Sequence, residues 1–143
     1  MKTILVDAVD GYISKDGEIF DEMEKLLQSY DNPKIVVTGA NDEQFTQFGL
    51  DKIEYEVFTC KHDPEKTDPE YFRKLLATYN LNAGDVVYFE HNPAAVNSAS
   101  SIGIESYFYD HNKKDLVSLK NFLDRELEEG RSRAIEMGTD IIS

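Results

Sequence analysis

Residues 3–12 are TILVDAVDGY: a short run of Thr, Ile, Leu and Val that ends abruptly in acids and a glycine. A strand that is apolar throughout, with no polar alternation, belongs to a sheet covered by helices on both faces. Four more runs of this kind follow. The spacing predicts strands at Thr3–Val6, Lys34–Thr38, Glu56–Thr59, Asp85–Phe89 and Glu105–Tyr109. The segments between them carry helical period, and strands alternating with helical patterns specify βαβ units. The expected fold is therefore α/β, a three-layer αβα sandwich around a Rossmann-like five-stranded parallel sheet.

The helices are placed by periodicity and by their ends. Ile19, Phe20, Met23, Leu26 and Leu27 repeat at helical spacing before Asp31-Asn32-Pro33 breaks the pattern. Asp68-Pro69 is a helix start, with the aspartate as N-cap and proline in the first turn. Residues 93–102, PAAVNSASSI, make a small-residue helix stopped by Gly103. Leu116, Leu119, Phe122, Leu123 and Leu127 form the last amphipathic helix. Residues 1–127 are expected to be one domain, and 128–143 a helical extension, reaching about Met137, or a tail.

Charge narrows the partners. With 28 acidic against 15 basic residues, the formal net charge is −13, which opposes nucleic acid and anionic membrane surfaces, since both need Lys and Arg. The N-terminal apolar run is too short for a signal-peptide core or a membrane span, so a cytoplasmic location is expected. One cysteine, Cys60, excludes an internal disulfide and a cysteine zinc cage. Its place at the end of YEVFTC reads as a buried structural thiol.

In a sheet of this type, ligands sit outside the carboxyl ends of the strands. There the sequence places Asp7-Ala8-Val9-Asp10-Gly11, then Thr38-Gly39, then Lys66-Thr67-Asp68-Pro69, then Glu90-His91-Asn92-Pro93. Acids from two strands, a hydroxyl with a glycine amide, and a lysine suit a phosphoryl group held with Mg2+. Carboxylates satisfy a hard cation, Thr38 and the Gly39 amide donate to phosphate oxygens, and Lys66 balances developing negative charge. An aspartate at the tip of strand one is placed to attack phosphorus.

In their order, DAVDGY at 7–12, VVTGA at 36–40, EKTDPEYFRKLL at 65–76 and VVYFEHNPAAVNSASSIGI at 86–104 resemble the four motifs of the haloacid dehalogenase superfamily. The resemblance covers residues 1 to about 127. It implies Asp7 and Lys66 as catalytic residues, Thr38, Gly39 and Lys66 on phosphate, and Asp7, Glu90, Asp10 and His91 around the metal. Two registers of the first motif stay open. Asp7 stands at the nucleophile position with Val9 in place of the second acid, or Asp10-Gly11 matches the Asp-Gly of the motif and Ala8 stands there. In the fourth motif Glu90-His91 replaces an acidic pair, which implies weakened Mg2+ binding or a shifted metal preference, since imidazole favours softer ions.

Only about thirty residues separate Asp7 from Thr38, too few for a large cap, so an open site on a phosphorylated substrate or ligand is expected. The first functional reading is a metal-dependent phosphatase acting through an aspartyl-phosphate. A catalytically inactive binding or regulatory module is the alternative. Dehalogenase-type hydrolysis is a third, and the missing cap argues against it. Read singly, the same residues have plainer roles: Asp68 as a cap, Thr38 as a strand-end hydrogen-bonder, His62 and His111 as solvent-facing, and the Tyr and Phe of VYF and YFYD as core.

Overall fold

The computed structural model describes residues 1–127. Five strands, β1 (Thr3–Asp7), β2 (Lys34–Thr38), β3 (Glu56–Thr59), β4 (Val86–Glu90) and β5 (Glu105–Phe108), form one sheet in the order β3-β2-β1-β4-β5. Every pairing is parallel. The helices are α1 (Asp21–Gln28), α2 (Asp42–Gln47), α3 (Pro69–Tyr79), α4 (Pro93–Ser100) and α5, which runs from residue 116 to the end of the described region at 127. The expected helical extension or tail at 128–143 lies outside the described residues.

Alternation along the strands divides the core in two. Ile4, Val6 and Ala8 of the first strand segment join Val36, Val87 and Phe89 against Met23 and Leu27 of α1 and Leu119, Phe122 and Leu123 of α5. Leu5, Val37 and Tyr88 face the opposite way, onto Tyr71, Phe72 and Leu75 of α3 and Ala99 of α4. This is the expected αβα sandwich. Both faces of β1, β2 and β4 are sealed, which is why those runs carry no polar alternation. Each such side chain taken fully out of water contributes about 1.5–3 kcal/mol to folding.

Several expectations change at the element ends: β1 runs on to Asp7, β4 spans Val86–Glu90 where Asp85–Phe89 was expected, and β5 stops at Phe108, one residue short. The helix expected from Ile19 begins at Asp21, because Ile19 bridges Ile13 in a short antiparallel contact and Phe20 is the N-cap. The helix at 93–102 ends at Ser100, and Gly103 follows with φ +94°. Cys60 is only half-buried, since it lies just past the end of β3, and burial raises its thiol pKa. The periodicity also passes over α2. This helix buries no side chain, and a capping box between Asn41 and Gln44 starts it.

Candidate functional site

The register of the central strands creates the site. Val6 pairs with Phe89, so the next step up the two strands sets Asp7 beside Glu90 at the carboxyl edge. Asp7 lies two residues past Leu5 and Glu90 two past Tyr88, which turns both carboxylates to the face covered by α3. Neither side chain has any solvent exposure. Two adjacent buried anions demand a cation. Lys66, in the loop that enters α3, supplies it: its Nζ lies 3.0 Å from Asp7 Oδ1 and 2.8 Å from Glu90 Oε1.

The other oxygen of each carboxylate faces His91. The His91 backbone N–H donates to Asp7 Oδ2 at 3.1 Å, and the ring Nδ1 bonds the same oxygen. Nδ1 also lies 3.4 Å from Glu90 Oε2, while Nε2 lies 3.9 Å from Asp10 Oδ2. Because Asp7 Oδ2 can only accept, Nδ1 carries a proton in this arrangement. Glu90 takes two further donors, the Tyr88 hydroxyl on Oε1 and the Asn92 N–H on Oε2 at 3.2 Å.

The two acids respond oppositely. Burial works to raise Asp7, but the charge of Lys66 and the hydrogen bond from His91 outweigh it, and the carboxyl titrates below its usual range. Burial, and then the negative charge of Asp7, raise Glu90. Burial opposes the charge on Lys66, and the two carboxylates more than restore it. The hydrogen bond to Asp7 raises His91.

A tight turn after β1 completes one wall. Tyr12 N–H returns to Asp7 O at 3.0 Å, and Ile13 N–H to Ala8 O at 3.0 Å. Gly11 passes so near β1 that an added Cβ would lie 2.5 Å from Asp7 O. Asp10 adopts φ +70°, and its carboxylate comes up beside His91. Ala8 packs into the apolar core, and Val9 bridges Ile13. Of the two registers open in the sequence, the first describes the side chain that meets Lys66: it is Asp7, and Ala8 faces away.

Thr38 and Gly39 stand at the tip of β2, beside β1, and neither is hydrogen-bonded to the Asp7–Glu90 cluster among the described residues. Thr38 Oγ1 accepts the Ala40 N–H at 3.1 Å, and the Tyr71 hydroxyl holds the Thr38 backbone, accepting from its N–H at 3.0 Å and donating to its carbonyl at 2.7 Å. Next to Gly39 sits His62, whose Nδ1 is 3.0 Å from Glu65 Oε1 and whose Nε2 meets Gln44.

Two participants carry no sequence signal of their own. Tyr88 is core by pattern, yet its hydroxyl reaches Glu90. His111 was expected to face solvent. It is half-buried, and its ring meets His91 edge-on with centroids 4.8 Å apart. The loop after β5 brings it there, a placement that no local spacing encodes. His62 is exposed, as expected.

Asp7, Glu90 and His91 each offer a ligand atom, all within 4.8 Å of one another. Two carboxylate oxygens and one imidazole nitrogen fit a divalent cation that tolerates nitrogen, such as Mn2+ or Zn2+. They supply only part of the oxygen shell that Mg2+ requires. Such an ion would take the place of the His91 Nδ1 proton.

No protein-family profile matches this chain, and no curated protein matches it in sequence. Solved structures do match in fold. An uncharacterised protein from Corynebacterium glutamicum superposes with a TM-score of 0.59 at 13% identity, covering 85% of this chain and 94% of its own. A wild-type haloacid dehalogenase family enzyme from Bacteroides thetaiotaomicron, in complex with magnesium and inorganic phosphate, gives 0.58 at 11% identity, covering 76% and 93%. A haloacid dehalogenase superfamily hydrolase of subfamily IA from Geobacter sulfurreducens gives 0.56 at 12% identity, covering 76% and 89%. Of other neighbours the chain spans about half, including 50% of a haloacid dehalogenase-like protein from Agrobacterium tumefaciens. The fold of this chain is that of the haloacid dehalogenase superfamily.

Proposed function

We propose that this chain hydrolyses phosphate monoesters through an aspartyl-phosphate formed on Asp7. The observation that carries the reading is the state of the Asp7 carboxylate: buried at the edge of the sheet, held ionised, and gripped by Lys66 and His91. An ionised carboxylate fixed by its neighbours attacks without first losing a proton or reorganising. The fold shared with hydrolases, one of them crystallised with magnesium and phosphate, supports the same reading.

In the first step an Asp7 oxygen forms a bond to phosphorus as the bond to the ester oxygen breaks. Lys66 offsets the charge that gathers on the transferring group. Thr38 and Gly39 donate to its oxygens from the tip of β2. An aryl oxygen departs as the phenolate. An alkyl oxygen needs a proton, and with no cation on Nδ1 the His91 imidazolium, through Nε2 beside Asp10, is the group placed to give it. Water then attacks phosphorus, its proton passing to the phosphate or, after alkyl transfer, back to His91, the bond to Asp7 breaks, and phosphate leaves with the carboxylate restored. A divalent cation held by Asp7, Glu90 and His91 would neutralise phosphate oxygens.

Release of phosphate from an aryl phosphate, compared between the wild-type chain and Asp7→Asn in the presence of Mn2+, Zn2+ or Mg2+, tests the proposal. Turnover lost in Asp7→Asn is expected. Equal inactivity of both proteins with every cation overturns it.

A second reading, a phosphate-binding module without turnover, is favoured by one observation. Asp7 already accepts three hydrogen bonds, two of them on Oδ2, which leaves little of its capacity for an incoming phosphorus. Thermal stabilisation by phosphate without hydrolysis would select it.

A further inference from the structure

A cavity of about 550 Å³ lies against the Asp10 side of the site, between the turn after β1 and the loop after β5. Two features join it to the buried cluster. Asp10 lines the cavity and stands 3.9 Å from His91 Nε2. His111 lines it too, and its ring rests on that of His91. Asp7 itself does not line the cavity; Asp10 and His111, both against His91, are what connect the two.

The lining has a definite chemistry. Four carboxylates, Asp10, Glu18, Asp21 and Glu22, border it, with Lys114 as its single lysine. Ile13, Ile19 and Phe20 give an apolar wall, and Ile19 is unusually exposed for its type. The lysine already shows how a cation sits there: its Nζ lies 5.2 Å from the centroid of the Phe20 ring, a cation–π contact on an exposed side chain free to swing away. Nearby, Tyr109 is buried with a hydroxyl that has no partner among the described residues, and it feels the charges of Asp7 and Glu22. The chain as a whole carries −13, so a substrate with further negative charge beyond its phosphate meets repulsion at this entrance.

We infer that the cavity is the leaving-group subsite and that it selects phosphate esters bearing an ammonium group, which takes the place of the Lys114 amine on Phe20 among the four carboxylates. The inference rests on the phosphatase reading above and names its substrate class.

Two aryl phosphates of nearly equal shape test it, one carrying a para-aminomethyl group and the other a para-methyl group. The aminomethyl ester is expected to have a kcat/KM about tenfold higher at low salt, the combined effect of several weak ion pairs and one cation–π contact. The preference should shrink as salt screens the exposed acids. Asp21→Asn with Glu22→Gln, both on the solvent-facing first turn of α1, should cut the ratio of the two kcat/KM values to about twofold. Lys114→Ala should raise the ratio in favour of the aminomethyl ester. Equal weakening of both esters in Lys114→Ala means the lysine holds phosphate, and overturns the inference, as does equal kcat/KM in the wild-type chain. If neither ester is hydrolysed, calorimetric binding separates the two ideas. Tighter binding of the aminomethyl ester upholds the subsite and removes the phosphatase, and equal binding removes both.

Discussion

Replacing Lys66 by methionine keeps the length of the stem and removes the one lysine charge that lies between Asp7 and Glu90. The ligand atoms of those acids sit within 4.8 Å of each other. At that separation, with an effective dielectric constant of about 20, their repulsion is roughly 3.5 kcal/mol. Lys66 cancels it through contacts of 3.0 and 2.8 Å. Stranding a buried charge costs about 3–5 kcal/mol in general, the same scale. A domain of this kind has about 5–15 kcal/mol in all, so the variant should fold but be much weakened. With a urea slope of about 2 kcal/mol/M, the midpoint should fall by about 2 M. Far-ultraviolet circular dichroism in chelating buffer at neutral pH is the assay. Lys66→Met combined with Glu90→Gln removes the repulsion and should recover about half of the loss. A Lys66→Met midpoint within about 0.5 M of wild type, or no recovery in the double variant, refutes the charge arrangement described for the site.

Tyr71→Phe should cost about 1–3 kcal/mol, because the Thr38 N–H loses its partner in a buried position; an unchanged urea midpoint would contradict the part given to that hydroxyl. Gly11→Ala should lower stability and disturb the site together, since its methyl group collides with the Asp7 carbonyl. Wild-type melting in this variant would show that the turn has room to move. Stability should also fall at alkaline pH. Burial raises Tyr71 well above 10.0, and burial with Glu24 raises Tyr12 and Tyr55 in the same direction. A folded-state value above the unfolded one contributes stability that is whole below about pH 10 and lost as pH rises through that range. The chain has no tryptophan, so tyrosinate absorbance follows the transition cleanly. Smooth titration of all the tyrosines near pH 10 with a constant urea midpoint would count against their burial.

The sheet was legible because its strands are sealed on both faces. IVV at 35–37 and VVYF at 86–89 could be read as central strands from composition alone, and they are buried throughout. Asp68-Pro69 was legible for a different reason, as a local cap that needs no tertiary contact. What escaped was structure made by pairs of distant segments. Ile19 has helical spacing, but its bridge to Ile13 holds it out of α1. The second helix was hidden because it has no fully buried side chain and sets only Phe45 partly against the core, although Asn41 and Gln44 mark its start. In the site, the four strand-end segments point to Asp7, Lys66, Glu90 and His91, and these four meet. Their geometry was not legible. The sequence alone cannot say that Lys66 bridges the first pair of oxygens and His91 the second, or that His111 leans on His91 from a loop twenty residues on.

The most direct test of the central proposal is to trap the covalent intermediate. Wild-type chain incubated with an aryl phosphate and Mn2+ is quenched, treated with borohydride, digested and analysed by mass spectrometry. Reduction of an aspartyl-phosphate converts that aspartate to homoserine, and the change is expected at Asp7 and to vanish without substrate. Phosphate release with Asp7 unmodified, or modification of Asp10 in its place, would contradict the account.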